Sequence, residues 1–305
     1  MRVGFLNNQI DARGTGHAMF HYAHYNETLL GNTSKIYTFY GADHAQSSWD
    51  IYKERFEEIH FVNNGIKNVD VLYHIKSGFN DFFRPPDVEK YVVHAVFDNE
   101  PHGDRYATIS EWMGERYSLP YVPHIVELPE YYESLRKDLG IPANHIVYGR
   151  LGGEDTFDIP FVWEAINEVL MRADNTWFIF MNTNKPDIPF WDNNRVVFVD
   201  PTLNPFLKKA FINTTDAMLH ARARGETFGI SVGEFAISGK RVFTYLDSGE
   251  KAHIHALGNK GLYYSDKDSL VDKLLYGDIR RTLGTGYDKC TPELVMQKFK
   301  EVFLD

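Results

Sequence analysis

Twice along this chain an apolar strand is followed by a glycine-bearing loop and a helix, and each time strand and helix then keep alternating. "RVGFLN" opens the first series and the loop "NQIDARGTG" follows it. From His17 to Leu30 the apolar residues Met19, Phe20, Tyr22, Ala23, Leu29 and Leu30 suit a helix, which Gly31 ends. "KIYTFYG" and "IHFVNN" read as strands flanking a helix around "WDIYKERFEE". "VDVLYHI" and "KYVVHAVF" are β-rich, and "YATISEWMGERY" runs from a short strand into a helix. Strands that alternate with helices pair in parallel, with helices on both faces of the sheet.

The second series starts afresh after "LRKDLGIPANH", which reads as a helix end, a turn and a polar hinge. "IVYGRLGG" is a new strand with a glycine-rich turn, and "PFVWEAINEVLMRA" is a helix with Pro160 suited to its first turn. "TWFIFMNT", "RVVFVD", "TDAMLHA", "RVFTYLD" and "GLYYS" read as strands or short apolar pieces. "GISVGEFAISG" is a helix closed by Gly239, and "DSLVDKLL" is one capped by Asp266 or Asp268. "TPELVMQKFKEVFL" is a terminal helix with Thr291 as N-cap. The expected fold is α/β: a Rossmann-like domain over residues 1–142, a second over 143–305, and a ligand cleft between them.

Composition narrows the function classes. The chain is 43% hydrophobic, 15% aromatic and 24% charged, which suits folded domains. Its formal net charge of -10 argues against duplex nucleic acid and anionic membrane surfaces as partners. The basic pairs Lys208-Lys209 and Arg280-Arg281 read as solvated faces. A single cysteine, Cys290, leaves no intrachain disulfide or cysteine zinc cluster and points to a reducing compartment. The start "MRVGFLNNQIDARG" lacks the apolar region of a secretory signal, and no run approaches the ~20 apolar residues of a membrane span, so the expected location is cytoplasmic.

"HARARGETFGISVGEF" carries two glutamates, Glu226 and Glu234, with seven residues between them. If a helix starts near Gly229, its first N–H groups are unpaired and form a site for a pyrophosphate, which Gly229 lets approach the backbone closely. Glu226 precedes that helix. Glu234 lies roughly 7 Å along its axis at 1.5 Å per residue. Two carboxylates on either side of a phosphate site match the sugar–pyrophosphate–ribose order of a nucleotide-sugar.

"GETFGISVGEFAISGKRVFTY" resembles the Glu-x7-Glu signature of retaining glycosyltransferases of the GT-B fold, of the family 4-like, group 1 type. "VYGRLGG" resembles the first strand of that family's C-terminal domain, "RGTGH" its N-terminal glycine loop, and "TISEW" with "VPHIVELP" the stretch leading to its hinge. The resemblance runs from Met1 to about Asp247. It implies a nucleotide-diphosphate sugar donor, a glycan or small hydroxyl acceptor in the N-terminal domain, retention of configuration, and no metal or other cofactor. It implies that Glu226 holds the donor sugar, that Phe228, Gly229 and Ile230 offer main-chain N–H groups, and that Glu234 binds the ribose. Arg150 would neutralise the diphosphate, Gly14 and Gly16 would let the N-terminal loop close on it, and His94 would contact the sugar near the reacting carbon. The terminal helix, residues 291–304, would pack back on the N-terminal domain.

The chain departs from the family where a lysine usually follows the Gly-Arg arginine; "RLGGEDTFD" has Glu154, Asp155, Thr156 and Asp158 instead. Arg222 or Arg224 is expected to supply the missing charge. Arg241 stands where the family often has proline.

Blander readings compete. Glu226 and Glu234 also suit a solvated helix start, Arg150 a structural salt bridge, and His94 a satisfied buried histidine. His17, His21 and His24 share a helix face at metal-ligand spacing but lack a nearby carboxylate. Asp266 and Asp268 in "DKD" suit an N-cap better than a metal site. Two further function classes stay open: a non-catalytic nucleotide- or sugar-binding protein, and an NAD-dependent oxidoreductase using Gly14, Gly16 and Asp43.

Overall fold

A computed structural model describes residues 1–186 and 193–305. The chain divides into one unit of Met1–Ile125 with Lys289–Asp305 and a second of Val126–Asp288. Each is built on a six-stranded parallel sheet.

In the first unit the elements are β1 (Arg2–Asn7), α1 (Gly14–Thr28), β2 (Thr33–Thr38), α2 (Gln46–Phe56), β3 (Ile59–Phe61), β4 (Val71–Lys76), β5 (Lys90–Ala95), β6 (Arg105–Thr108) and α3 (Glu111–Tyr117). The strand order is β3-β2-β1-β4-β5-β6. It reverses between β1 and β4, with Val3 opposite both Ser34 and Val71. Every residue of β4 is buried, as expected of a central strand covered on both faces. Ser110 caps α3 by accepting from the Met113 N–H.

The second unit contains β7 (Ile146–Leu151), α4 (Pro160–Arg172), β8 (Thr176–Met181), β9 (Val196–Val199), α5 (Pro205–Thr214), β10 (Ala217–His220), β11 (Gly225–Glu226), α6 (Ile230–Ile237), β12 (Arg241–Tyr245), β13 (Glu250–Lys251), α7 (Ala252–Leu257), β14 (Leu262–Tyr264) and α8 (Lys267–Tyr276). Its sheet runs β14-β12-β10-β7-β8-β9, and β11 pairs separately with β13. Pro160 and Pro205 sit in the first turns of their helices, where a missing N–H costs nothing. Asp266 is the N-cap of α8, in a capping box with Ser269, so the "DKD" aspartates have a structural place.

The expected boundary at Pro142 falls inside the second unit. The polar stretch before it is no free linker. Leu135 N–H donates to Thr214 Oγ1 at 2.7 Å, Arg136 reaches Asp216 Oδ2 at 2.8 Å, and Asn213 Nδ2 donates to the Tyr131 carbonyl at 2.8 Å. These bonds bind the segment to the end of α5 and the start of β10.

The last element, α9 (Pro292–Phe299), belongs to the first unit. Thr291 caps it, and its apolar face supplies core that the N-terminal residues lack. Phe299 stacks on Tyr22 with ring centroids 5.2 Å apart, and Phe303 meets His94 edge-on at 5.2 Å. Lys90 Nζ donates to the Leu304 carbonyl at 3.0 Å.

Candidate functional site

The two glutamates bracket a helix start built as the spacing predicts. Gly229 is the N-cap of α6 with φ 85° and ψ 65°, a left-handed conformation that favours glycine, and no side chain caps the helix. The leading N–H groups of α6 are therefore left to a ligand or solvent. A methyl group on Gly229 would meet Tyr287 Oη at 3.1 Å and Glu226 Cβ at 3.2 Å. Tyr287 supports this turn: its hydroxyl donates to the Phe228 carbonyl at 2.6 Å, and its ring fills the space a side chain on Gly233 would need. Phe228 is buried against the same ring, while Ile230 is part-exposed at the helix start.

Glu226 sits just before this turn, on β11. Its Oε2 accepts from Arg222 Nη1 at 2.8 Å, and its Oε1 accepts from His220 Nε2 at 3.2 Å. Burial works to raise its pKa, but the His220 hydrogen bond, the Arg222 guanidinium and the imidazoles beside it outweigh that and hold the carboxyl at about 2. Glu226 is thus a permanent anion at neutral pH, fitted to accept hydrogen bonds and unfitted to donate a proton.

Arg150, at the carboxyl end of β7, is 3% exposed. It donates to Asn182 O and Thr183 Oγ1 at 2.7 Å each, and to Gly153 O and Thr156 Oγ1 at 2.6 Å each. All four acceptors are neutral, so among the described residues no carboxylate is bonded to this buried cation. Burial brings its guanidinium down to about 10; Glu226 first, then Asp155 and Asp158, oppose that shift, and Arg222 adds to it by repulsion. Arg150 and Arg222 are therefore mutually repelling cations near Glu226. The residues standing where the family's lysine was expected build the loop: Thr156 holds Arg150, and Asp158 Oδ1 accepts from the Ala223 N–H at 2.7 Å, fixing the approach to Glu226. Arg224 is exposed, and its carbonyl accepts from the Glu250 N–H at 2.6 Å.

Glu234 is 1% exposed and bonded to Lys208 Nζ at 2.6 Å. Burial raises its pKa against the pull of Lys208. A ribose contact at Glu234 would need Lys208 to yield, which the spacing of the two glutamates did not foretell. Lys208 itself, expected on a solvated face, is half of this ion pair.

Sequence reasoning also missed His220, Thr244 and His253. His220 Nδ1 lies 2.8 Å from Thr244 Oγ1, which lies 3.0 Å from His253 Nε2. His220 and Thr244 stand 24 residues apart on neighbouring strands, so no short motif joins them.

The remaining expected residues lie in the first unit. Gly14 opens α1 and is exposed, whereas Gly16 is buried, and a methyl group there would meet the Asp11 carbonyl at 2.2 Å. Met19, at the third position of the partial dinucleotide fingerprint, is wholly buried. Asp43 lies in the loop between β2 and α2. His24 Nδ1 accepts from Arg55 Nε at 2.8 Å, and among the described residues no group of three or more His, Cys, Asp or Glu side chains is placed to hold a metal ion.

His94 corrects an expectation. It has no exposed surface, and both ring nitrogens are engaged: Nδ1 with Tyr73 Oη at 2.7 Å, and Nε2 with the carbonyl of Val122 at 2.9 Å. β5 turns it into the core beneath Phe303, so it stands as a satisfied buried histidine and not as a sugar contact. Burial pulls its pKa from 6.5 to about 4, against the two carbonyls it faces. Unfolding therefore takes up a proton between these values. His94's share of stability is fully present above pH 6.5 and falls by roughly 3 kcal/mol as pH drops to 4. Its ring resonances are expected to stay fixed above about pH 5 in an NMR titration; a midpoint near 6.5 would contradict this placement.

No protein-family model matches the sequence, and no curated protein matches it. Solved structures do match. HepE from Anabaena, in complex with UDP-glucose, superposes with a TM-score of 0.65 at 13% identity, covering 99% of this chain and 95% of that one. A glycosyltransferase from Rickettsia africae gives 0.63 at 14% identity, with 99% and 94% covered. Sucrose-phosphate synthase from Thermosynechococcus elongatus gives 0.63 at 11%, with 99% and 95% covered. This is the GT-B fold. At such identities the likeness speaks for the fold alone.

In the second GT-B unit the site continues along the carboxyl ends of the strands. A cavity of about 260 Å³ lies at the ends of β8 and β9, lined in part by Asn182, Thr183, Lys185, Phe198 and Asp200. Arg150 borders it through Asn182 and Thr183. Among the described residues no helix is long and apolar enough to cross a membrane.

Proposed function

We propose that the protein is a glycosyltransferase that moves a sugar from a nucleotide-diphosphate sugar to a hydroxyl acceptor, with retention and without a metal. The observation that carries this reading is the uncapped start of α6 at Gly229, with the anionic Glu226 before it and the cations Arg150 and Arg222 crowded beside it. A diphosphate placed on the α6 amides would relieve the repulsion between the two cations. Arg222 takes the part of the missing lysine. Arg150 acts through its charge and the loop it shapes, since its donors are already engaged.

Glu226 would accept hydrogen bonds from the donor sugar, and Phe228, Gly229 and Ile230 would present main-chain N–H groups. Glu234, with Lys208, would meet the ribose, and the cavity beside Phe198 has room for a base. Catalysis would rest on positioning and on stabilising the departing diphosphate. UDP-sugars head the candidate donors because HepE was solved with UDP-glucose.

A thermal-shift panel of UDP, GDP, ADP, CMP, their sugars and NAD tests the reading. One nucleoside diphosphate is expected to stabilise the protein, by about 2.7 kcal/mol at a hundred times its Kd, and EDTA is expected to change nothing. A rise with NAD alone overturns the proposal.

A further inference from the structure

The chain Glu226–His220–Thr244–His253 joins one carboxylate to three polar side chains from separate elements, and no step of the proposed reaction uses the last three. His220, Thr244 and His253 are 7%, 0% and 0% exposed. Polar groups buried to this degree are retained in a fixed hydrogen-bond order or cost stability.

That order follows from the Glu226 end of the chain. Glu226, an anion, can only accept, so His220 Nε2 carries a proton and donates to it at 3.2 Å. In the neutral ring His220 Nδ1 is then an acceptor, and the donor facing it is the Thr244 hydroxyl, so Thr244 Oγ1 in turn accepts from His253 Nε2 at 3.0 Å. Thr244 then has its hydroxyl proton free to donate to His220 Nδ1 at 2.8 Å. His220 is thereby locked with its proton facing Glu226. The two imidazoles also lie with ring centroids 4.8 Å apart, which limits rotation of either.

We propose that Thr244 is a positioning residue that, supported by His253, fixes the tautomer of His220 and so aims the Glu226 carboxylate at the donor sugar. The aiming of a sugar contact rests on the proposed transfer reaction; the tautomer lock does not. Nothing in this relay touches the α6 amides, so it governs how the sugar is held and not how the diphosphate is bound.

Two substitutions separate this role from packing. Thr244→Val keeps the shape and removes the hydroxyl; Thr244→Ser keeps the hydroxyl and loses a methyl group. A packing role makes Val harmless and Ser costly, whereas the relay requires the opposite. In ¹⁵N-histidine NMR, the wild type and Thr244→Ser should show His220 protonated at Nε2 only, and Thr244→Val should show a mixture of tautomers. With UDP-glucose as donor, Thr244→Val should lower kcat about tenfold with little change in KM, and Thr244→Ser should recover most of it. An unchanged His220 tautomer in Thr244→Val overturns the proposal, whether or not UDP-glucose is turned over. If the wild type transfers no sugar from UDP-glucose or any other nucleotide-sugar, the transferase reading fails instead, and the NMR result still decides the lock.

Discussion

Glu226→Gln is expected to lower sugar transfer about a hundredfold or more while the protein still folds. Glutamine keeps the size of the side chain but not its charge. Its single acceptor oxygen can satisfy Arg222 or His220, not both, and its amide group faces the other donor. The same change removes the one carboxylate bonded to Arg222 among the described residues, near Arg150, a second, buried cation. UDP should therefore bind the variant at least as tightly as the wild type. Loss of transfer with UDP binding kept or improved is the signature of a sugar contact, and wild-type turnover would remove the proposed role. The stability effect has a definite sign too. Because the folded carboxyl sits at about 2 and the unfolded one near 4.5, Glu226 contributes stability above pH 4.5 that is lost as pH falls toward 2. The difference between wild type and Glu226→Gln in urea unfolding should shrink over that window.

Arg150→Lys is expected to be nearly as damaging as Arg150→Met, although it keeps the charge. The guanidinium holds four acceptors from two loops, at 2.6 to 2.7 Å, and one ammonium cannot reach all of them in that geometry. Losing two or more of these bonds should cost roughly 3 kcal/mol of unfolding free energy. With the loops after β7 and β8 loosened, UDP affinity should fall about tenfold. Calorimetric titration with UDP and denaturant unfolding measure both. A lysine variant with wild-type UDP affinity would show that Arg150 contributes charge alone.

How far the site could be read from the chain depends on whether its parts are neighbours in sequence. The start of α6 was legible because an apolar helical run follows a glycine that must take a positive φ, and Glu226 and Glu234 flank it within one short segment. The pairing of Glu234 with Lys208 spans 26 residues and two helices, and the relay behind Glu226 draws on β10, β12 and α7. No periodicity carries such contacts, because each element contributes a single side chain. His94 was legible as a strand residue, but its neighbours Tyr73 and Phe303, which decide whether it faces core or ligand, come from β4 and from the chain's end.

By itself the sequence determined the two parallel α/β units, their helix caps and the glycine-led turn between the glutamates, since these follow from local backbone preference and from the alternation of apolar residues. Only the tertiary structure decided where the units divide, that α9 completes the first core, that Arg150 is spent on loop carbonyls, and that Glu226 is held by His220 and Arg222. Those outcomes turn on which buried polar groups find partners, and hydrogen-bond partners are chosen by proximity in space rather than along the chain.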